Sequence, residues 1–310
     1  MNNILVWGNG FIGNHLKYDK IQDRATVNQG DIKTILKAYN PTIIINCIGF
    51  TGRPNIDQCE TEKEKTLITN TVIPTIIASE CDKLGIHMIH IGSGCIWNGP
   101  SPHRYCSLCN IKVSNEDEFK LHCMMSHSDK NLMDMKKYLN DYGWNENDPP
   151  NPVSFYSETK TACDFAIKSL SNVAILRIRM PISDQNSSRN FISKIRNYKQ
   201  VIDIPNSATF VDDLVGCIDW AIENKKTGIY NVVNPEPITA AQVMKEYQKY
   251  IPDHKFEIIT GTQLDQITKA RRSNCILDGS KLRSEGFIMR STKEALEETM
   301  KQYIENMKEK

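Results

Sequence analysis

The chain reads as an α/β protein, a doubly wound parallel sheet joined to a smaller mixed domain. Three observations lead there. The apolar run Ile4-Leu5-Val6-Trp7 empties directly into Gly8-Asn9-Gly10-Phe11-Ile12-Gly13. After Pro41 comes Thr42-Ile43-Ile44-Ile45-Asn46-Cys47-Ile48-Gly49, a β-branched run of the kind that is buried on both faces of a parallel sheet. Helix-length segments then alternate with short apolar strands. Together these describe a Rossmann-type sheet, whose ligands sit beyond the carboxyl ends of its strands.

In order along the chain, the first strand and its glycine turn come first. Gly8 permits the tight turn, Gly10 lets backbone approach a pyrophosphate, and Gly13 lets a helix pack on the strand. A helix is expected to follow at once and to offer its N-terminal N–H groups. Phe11 and Ile12 belong to the same candidate dinucleotide loop, and Asn46 and Gly49 lie at the next strand end. Asp31 stands 18 residues past Gly13, beside Ile32. It reads equally as a ribose contact or as the N-cap of a helix over 32–39. A helix around 64–83 and a strand over 86–91 complete this half, with Ser93 and Cys95 just beyond.

The later segments are less regular. A helix fits 156–171 and a strand 173–179, then a short basic helix begins at Arg189. Helices fit 211–223, 239–251 and 291–307, with a strand over 228–233. The expected division is a cofactor domain over 1–175 and a mainly substrate-binding part over 176–310, some of whose segments return to the sheet.

Composition excludes several classes. Among 310 residues, 24% are charged and 40% hydrophobic, and the net charge is +1, so no global field draws the protein to nucleic acid or membrane. No apolar run reaches the ~18 residues of a membrane span. The N-terminus enters a strand without a signal-peptide layout. The ten cysteines form no secreted framework, which fits a reduced, cytoplasmic setting.

Tyr156-x3-Lys160 on a helix puts both side chains on one face. An ammonium beside a phenol is expected to lower the tyrosine's pKa, so that it trades a proton with a carbonyl or alcohol. Ser93 adds a hydroxyl for the same oxygen. With the glycine loop, this set resembles the extended short-chain dehydrogenase/reductases. One departure is the loop, GxGxxG here where that family usually carries GxxGxxG.

A closer resemblance rests on Thr51-Gly52-Arg53-Pro54-Asn55, Ser93-Gly94-Cys95-Ile96, Phe155-Tyr156-Ser157, Arg177-Ile178-Arg179-Met180-Pro181-Ile182-Ser183, Arg189-Asn190-Phe191-Ile192, Asp203-Ile204-Pro205-Asn206-Ser207 and Arg272-Ser273-Asn274. These resemble the bifunctional UDP-4-keto-6-deoxy-D-glucose 3,5-epimerase/4-keto-reductases of UDP-L-rhamnose synthesis, known in plants and giant viruses. The similarity covers nearly all of the chain except about residues 100–145. It implies a UDP-sugar substrate, NADPH (or NADH) as cofactor, and an acid/base pair in Cys95 and Lys194. Protons α to a 4-keto group are acidic, so one group removes a proton and another returns it on the opposite face. Hydride then reaches C4 and Tyr156 protonates the oxygen. The resemblance also implies substrate contacts at Arg53, Arg189, Asn190, Asn206 and Arg272, Arg272 suiting a pyrophosphate. By analogy with the fold, a homodimer is expected. No clear arginine for a 2′-phosphate follows the expected second strand, so NADPH rests on the family alone. The alternatives are a dTDP-4-keto-rhamnose reductase without epimerase activity and a non-catalytic NAD(P)-binding regulator.

Between the two catalytic stretches lies Cys106-x2-Cys109-x12-His122-x4-His127, with Val113 and Phe119 at the core positions of a ββα finger. Two thiolates and two imidazoles suit tetrahedral Zn2+, so an inserted zinc finger over 103–128 is expected, with Cys106, Cys109, His122 and His127 as ligands. Its base-reading positions would be Asn115, Glu118 and Leu121, next to Glu116 and Asp117. That acidic face disfavours nucleic acid. A protein partner, or a lid over the substrate mouth, is the better expectation.

Overall fold

The run after Pro41 becomes the middle of the sheet. Ile44 and Ile45 are fully buried, and Ile43 nearly so. Each such side chain removed from water contributes roughly 1.5–3 kcal/mol, which is why β-branched residues on both faces specify a central strand. A computed structural model describes residues 3–106, 108, 109, 111–113, 116–127 and 139–308. Asn115 and residues 128–138 lie outside the described residues.

In chain order the strands are β1 (Ile4–Trp7), β2 (Asp19–Ile21), β3 (Ile43–Asn46), β4 (His87–Ser93), β5 (Arg104–Cys106), β6 (Lys112–Val113), β7 (Leu139–Asp141), β8 (Val173–Ile178), β9 (Pro181–Ile182), β10 (Gln200–Ile202), β11 (Thr209–Phe210), β12 (Gly228–Asn231) and β13 (Glu257–Ile259). Six of them form one sheet in the order β12-β8-β4-β3-β1-β2, and every pairing is parallel. The chain steps from β1 outward to β2, then back to β3 on the other side of β1. That reversal is the switch point at which open α/β sheets bind ligands.

Alternate residues build the two faces. Leu5, Trp7, Ile44, Met88 and Ile175 pack with Ile32 and Leu36 of the helix Gln29–Tyr39 and with Ile73 and Ile77 of the helix Ile73–Leu84. Val6, Ile45, Ile89, Ile91 and Leu176 pack with Leu214, Cys217 and Ile218 of the helix Val211–Glu223. A separate core of Ile182, Ile192, Val201, Phe210, Met244 and Tyr303 underlies the segments that follow β8. The pairs β9–β11 and β10–β13 lie there. Among the described residues no helix is long and apolar enough to cross a membrane.

Two local expectations change, and one strand was not expected. The glycine loop leads only into a 3-10 turn, Gly13–His15, not a full helix, so little helix dipole faces a phosphate there. The strand β2 carries no hydrophobic pattern of its own, because only Ile21 of its three residues is buried. The helix around 64–83 is Lys63–Leu67, a π turn at Ile68–Val72, then Ile73–Leu84. π turns carry a side chain out of α register, often at functional sites. This one carries Asn70, which is fully buried.

Candidate active site

One cavity of about 1370 Å³ runs from the glycine loop to the substrate side. Gly10, Phe11 and Ile12 line one end, Ser93, Cys95, Tyr156 and Lys160 the middle, and Arg53, Arg189, Lys194, Asn206 and Arg272 the other end.

The glycines of the loop play different parts. Gly8 has φ 114°, and a Cβ there would stand 2.8 Å from the Cys47 carbonyl carbon. A Cβ on Gly13 would lie 1.9 Å from the Gly8 carbonyl oxygen. Both are therefore bound to glycine by close backbone packing. Gly10 has nothing within 4 Å on its Cβ side, so its backbone borders open space where a dinucleotide phosphate fits. Asp31 and Ile32 are not brought to the cavity. Asn28, not Asp31, caps the helix Gln29–Tyr39, Asp31 is exposed and accepts from Thr26 Oγ1 at 3.1 Å, and Ile32 is fully buried under the sheet. Asn46 also fails to line the cavity. It is buried, bonded to His90 Nδ1 at 3.1 Å and to the Ile48 N–H at 3.1 Å. Burial, then Lys160, lowers His90 to about 3, so the imidazole stays neutral.

β4 ends at Ser93, whose Oγ accepts from the Cys95 N–H at 3.1 Å. The 3-10 turn Gly94–Ile96 thus places Ser93 and Cys95 together on the cavity wall. Opposite, Ser154 caps the helix Phe155–Ile167, and the Phe155 N–H donates to Glu60 Oε1 at 2.8 Å. This fixes the first turn, which carries Tyr156, with Lys160 one turn further on. Burial pushes the Tyr156 phenol well up, the Cys95 thiol adds to this, and the Ser93 hydroxyl opposes it. The lowering expected from Lys160 is not found, and burial dominates because a phenolate at this depth loses its hydration. Burial also lowers Lys160. A Cβ on Gly49 would lie 3.5 Å from Lys160 Nζ and 3.6 Å from Asn70 Oδ1, so these groups meet over the end of β3. Asn70 in turn accepts from the Phe50 N–H at 2.8 Å. Sequence reading passed over Asn70, whose spacing inside a helical run gives no signal until the π turn is seen.

The substrate end is cationic. Lys194 sits on the short helix Phe191–Ile195, and burial, then the Arg189 guanidinium, lowers it to about 8. Arg189 donates to Thr51 Oγ1 at 2.7 Å and to the Gly52 carbonyl. Arg272 pairs with Asp57 at 2.8 Å, so it faces the cavity with one carboxylate already on it. Asn190 is absent from the cavity wall. It is fully buried, caps the Phe191–Ile195 helix, and donates to the Ser183 and Gln185 carbonyls at 2.6 and 2.7 Å. Its hydrogen-bonding capacity is used in holding the chain that presents Lys194. Asn206 lines the cavity, but its Oδ1 accepts from Arg179 and from the Cys275 N–H at 3.0 Å.

The inserted segment stands apart. β5 pairs antiparallel with β6 and with β7, so its strand pairing continues past residue 128 to Asp141. Cys106, Val113, Phe119 and Cys123 form its small core, beneath the helix Glu116–Ser126. The ligand atoms of Cys106, Cys109, His122 and His127 all lie within 4.8 Å of one another. Cys109 Sγ is 3.1 Å from His122 Nε2, and Cys106 Sγ is 3.5 Å from His127 Nε2. No described residue of this segment lines the cavity, whose wall passes from Cys95 directly to Tyr156. That removes the support for a lid.

A serine, tyrosine and lysine at the carboxyl edge of a parallel sheet, opening on a cationic pocket, define a short-chain dehydrogenase/reductase acting on nucleotide sugars. A family model described as RmlD substrate binding domain matches residues 14–109. The chain is 33% identical over 280 residues to the bifunctional dTDP-4-dehydrorhamnose 3,5-epimerase/dTDP-4-dehydrorhamnose reductase of Arabidopsis thaliana, covering 89% of this chain and 80% of that one. It belongs to this family of nucleotide-sugar 3,5-epimerase/4-keto-reductases. A trifunctional UDP-glucose 4,6-dehydratase/UDP-4-keto-6-deoxy-D-glucose 3,5-epimerase/UDP-4-keto-L-rhamnose-reductase of the same plant is 34% identical over 281 residues, and there the match spans only 36% of the relative. The solved structure of the L780 UDP-rhamnose synthase from Acanthamoeba polyphaga mimivirus superposes with a TM-score of 0.78 at 26% identity, covering 96% of this chain and 98% of that one.

Proposed function

We propose that this chain converts UDP-4-keto-6-deoxy-D-glucose to UDP-L-rhamnose, by 3,5-epimerisation followed by NADPH-dependent reduction of the C4 ketone. The observation that carries this is that Cys95 and Lys194 open on the same cavity as Ser93 and Tyr156. A reductase that received an already epimerised sugar would need no such pair. Ser93 and Tyr156 hold the C4 oxygen and stabilise the enolate while Cys95 and Lys194 exchange protons at C3 and C5. Bound NADPH supplies the hydride to C4. Tyr156, kept as phenol by burial, donates its proton to the new alkoxide, and Lys160 restores it. Arg53, Arg189 and Arg272 take the diphosphate. Residues 1–175 serve the cofactor and residues 176–310 mainly the sugar nucleotide, with β12 returning to the sheet.

One assay tests the reading. UDP- and dTDP-4-keto-6-deoxyglucose are supplied with NADPH, and the sugar product is identified. UDP-rhamnose formed without an added epimerase is the expected result. Consumption of NADPH only when ready-made 4-keto-rhamnose is supplied would leave a reductase alone.

The preference for NADPH has a local candidate in Arg24. β2 ends at Ile21, and Trp7 Nε1 donates to the Asp23 carbonyl at 2.9 Å, pinning the loop beyond it. Arg24 is exposed there, at the edge where a ribose 2′-phosphate is met. Arg24→Ala is expected to raise KM for NADPH by about tenfold and leave KM for NADH nearly unchanged. Equal effects on both cofactors would remove Arg24 from this role.

The Cys106, Cys109, His122, His127 cluster holds Zn2+ in this reading. A tetrahedral zinc with ordinary bond lengths puts sulfur and nitrogen about 3.6 Å apart, close to the two sulfur–nitrogen separations above. The finger serves a protein contact rather than the reaction. Leu121, Met124 and Met125 are exposed along one side of its helix, and Asp117 and Glu118 are acidic. Cys106→Ser/Cys109→Ser is expected to lose bound zinc by elemental analysis while kcat and KM stay within about twofold. Unchanged zinc content would defeat the ligand assignment.

A further inference from the structure

Arg179 is a cation in an unusual place. It follows β8 and is only 2% exposed. Its Nη1 donates to Cys95 Sγ at 3.0 Å and to Ser273 Oγ at 3.0 Å, and its Nη2 donates to the Ser273 carbonyl at 2.9 Å and to Asn206 Oδ1. Its Nε is buried with no hydrogen-bond partner in the protein. Among the described residues no carboxylate pairs with it, although the other buried arginine beside the site, Arg177, has Asp164 at 2.8 Å. A buried guanidinium without a counter-ion is costly, and such a cost is retained where an anion is to be held.

The surroundings are shaped to bring Arg179 to this sulfur. Gly94 makes room, since a Cβ there would lie 3.1 Å from Arg179 Cγ. Met180 takes φ 36°, a left-handed backbone disfavoured for a non-glycine residue, immediately after Arg179. Asn206 and Ser273 grip the guanidinium from behind, and Ser273 Oγ is itself tied to the Trp97 carbonyl. The other titratable groups around Cys95 and Arg179 are Tyr156 and Lys160 on one helix, Lys194 on another, and Cys275 behind Arg179. None of these is a permanent anion.

We propose that Arg179 is a positioning residue that holds Cys95 as the thiolate and so makes Cys95 the proton-removing partner of the epimerisation, with Lys194 the proton donor. The assignment of base and acid rests on the epimerase reading above. In each epimerisation Cys95 Sγ takes the proton from carbon and becomes a thiol, and the C–H electron pair passes to the C4 oxygen as an enolate. The Lys194 ammonium gives its proton to the opposite face, and the enolate pair forms the new C–H bond. The thiol proton then returns to the Lys194 amine through solvent, which resets both groups.

The test follows alkylation of Cys95 by iodoacetamide at pH 7, read by peptide mass, in the full chain and in Arg179→Gln and Arg179→Lys. In the wild type Cys95 should be alkylated readily at pH 7. Arg179→Gln keeps donors for Asn206 and Ser273 but loses the charge, and should slow that alkylation by about tenfold or more, with Arg179→Lys in between. Deuterium entry at C3 and C5 from D2O should fall about tenfold or more in Arg179→Gln, while reduction of ready-made UDP-4-keto-rhamnose stays within about threefold. No alkylation of wild-type Cys95 at pH 7, or equal rates in wild type and Arg179→Gln, would overturn the proposal. The wild-type rate decides the matter even if the variants do not fold. Alkylation needs no turnover. Alkylation slowed by Arg179→Gln in a chain that made no UDP-rhamnose would therefore sink the functional reading and leave the Arg179–Cys95 coupling standing.

Discussion

A Lys194→Met chain is expected to lose epimerisation by about 10²–10⁴-fold while still reducing a 4-keto-rhamnose nucleotide supplied ready-made. Lys194 is held on a helix capped by Asn190, at the far side of the cavity from the Tyr156 helix. Its removal therefore leaves Ser93, Tyr156 and Lys160 in place. Deuterium incorporation at C3 and C5 measures the first half, and NADPH oxidation with 4-keto-rhamnose measures the second. The pH dependence carries the sign. Lys194 is lowered to about 8, so it is an ammonium below that pH and a neutral amine above it. If it donates the proton, epimerisation falls as pH rises through about 8. Reduction stays level over the same range, because burial keeps Tyr156 a phenol to far higher pH. An epimerisation rate that rises through pH 8 would mean that Lys194 removes the proton instead, and would reverse the assignment. Equal loss of both activities in Lys194→Met would remove the division between them.

Tyr156→Phe is expected to cost reduction about 10²–10⁴-fold, roughly 3–5 kcal/mol of transition-state stabilisation. The phenol stands on the wall beside Ser93, and the ring itself can stay in place without its hydroxyl. Binding of UDP should change little, because the arginines of the other end are untouched. Epimerisation should fall less than reduction, since Ser93 still meets the enolate oxygen. Reduction at near wild-type rate in Tyr156→Phe would show that the proton comes from elsewhere.

Much of the site was legible because it is local. Tyr156 and Lys160 are one helical turn apart, so spacing alone puts them on one face. Gly8 and Gly13 are visible because no other residue suits their backbone contacts, and Ile43–Ile45 because a doubly buried strand has only one composition. The errors were local too. Asp31 and Asn190 carry polar side chains that suit a ligand as well as they suit a helix end, and only their hydrogen bonds separate the two. The end of β2 bore no hydrophobic mark, because that strand is short and half-exposed.

Sequence by itself determined the parallel sheet, the glycine loop, the serine–tyrosine–lysine set and the presence of a Cys/His cluster. Each follows from composition or from the order and spacing of residues along the chain. Only tertiary structure decided that Lys194 faces the cavity of Cys95, that Asn70 leaves its helix register beside Lys160, and that Arg179 reaches Cys95 with no carboxylate among the described residues to pair it. These contacts join residues that are far apart in the chain, and strand order, not spacing, sets which of them meet. Burial is likewise a property of the assembled layers. It holds Tyr156 as an acid against the pull of its neighbours and brings Lys194 to about 8, close to the pH at which a proton donor is useful.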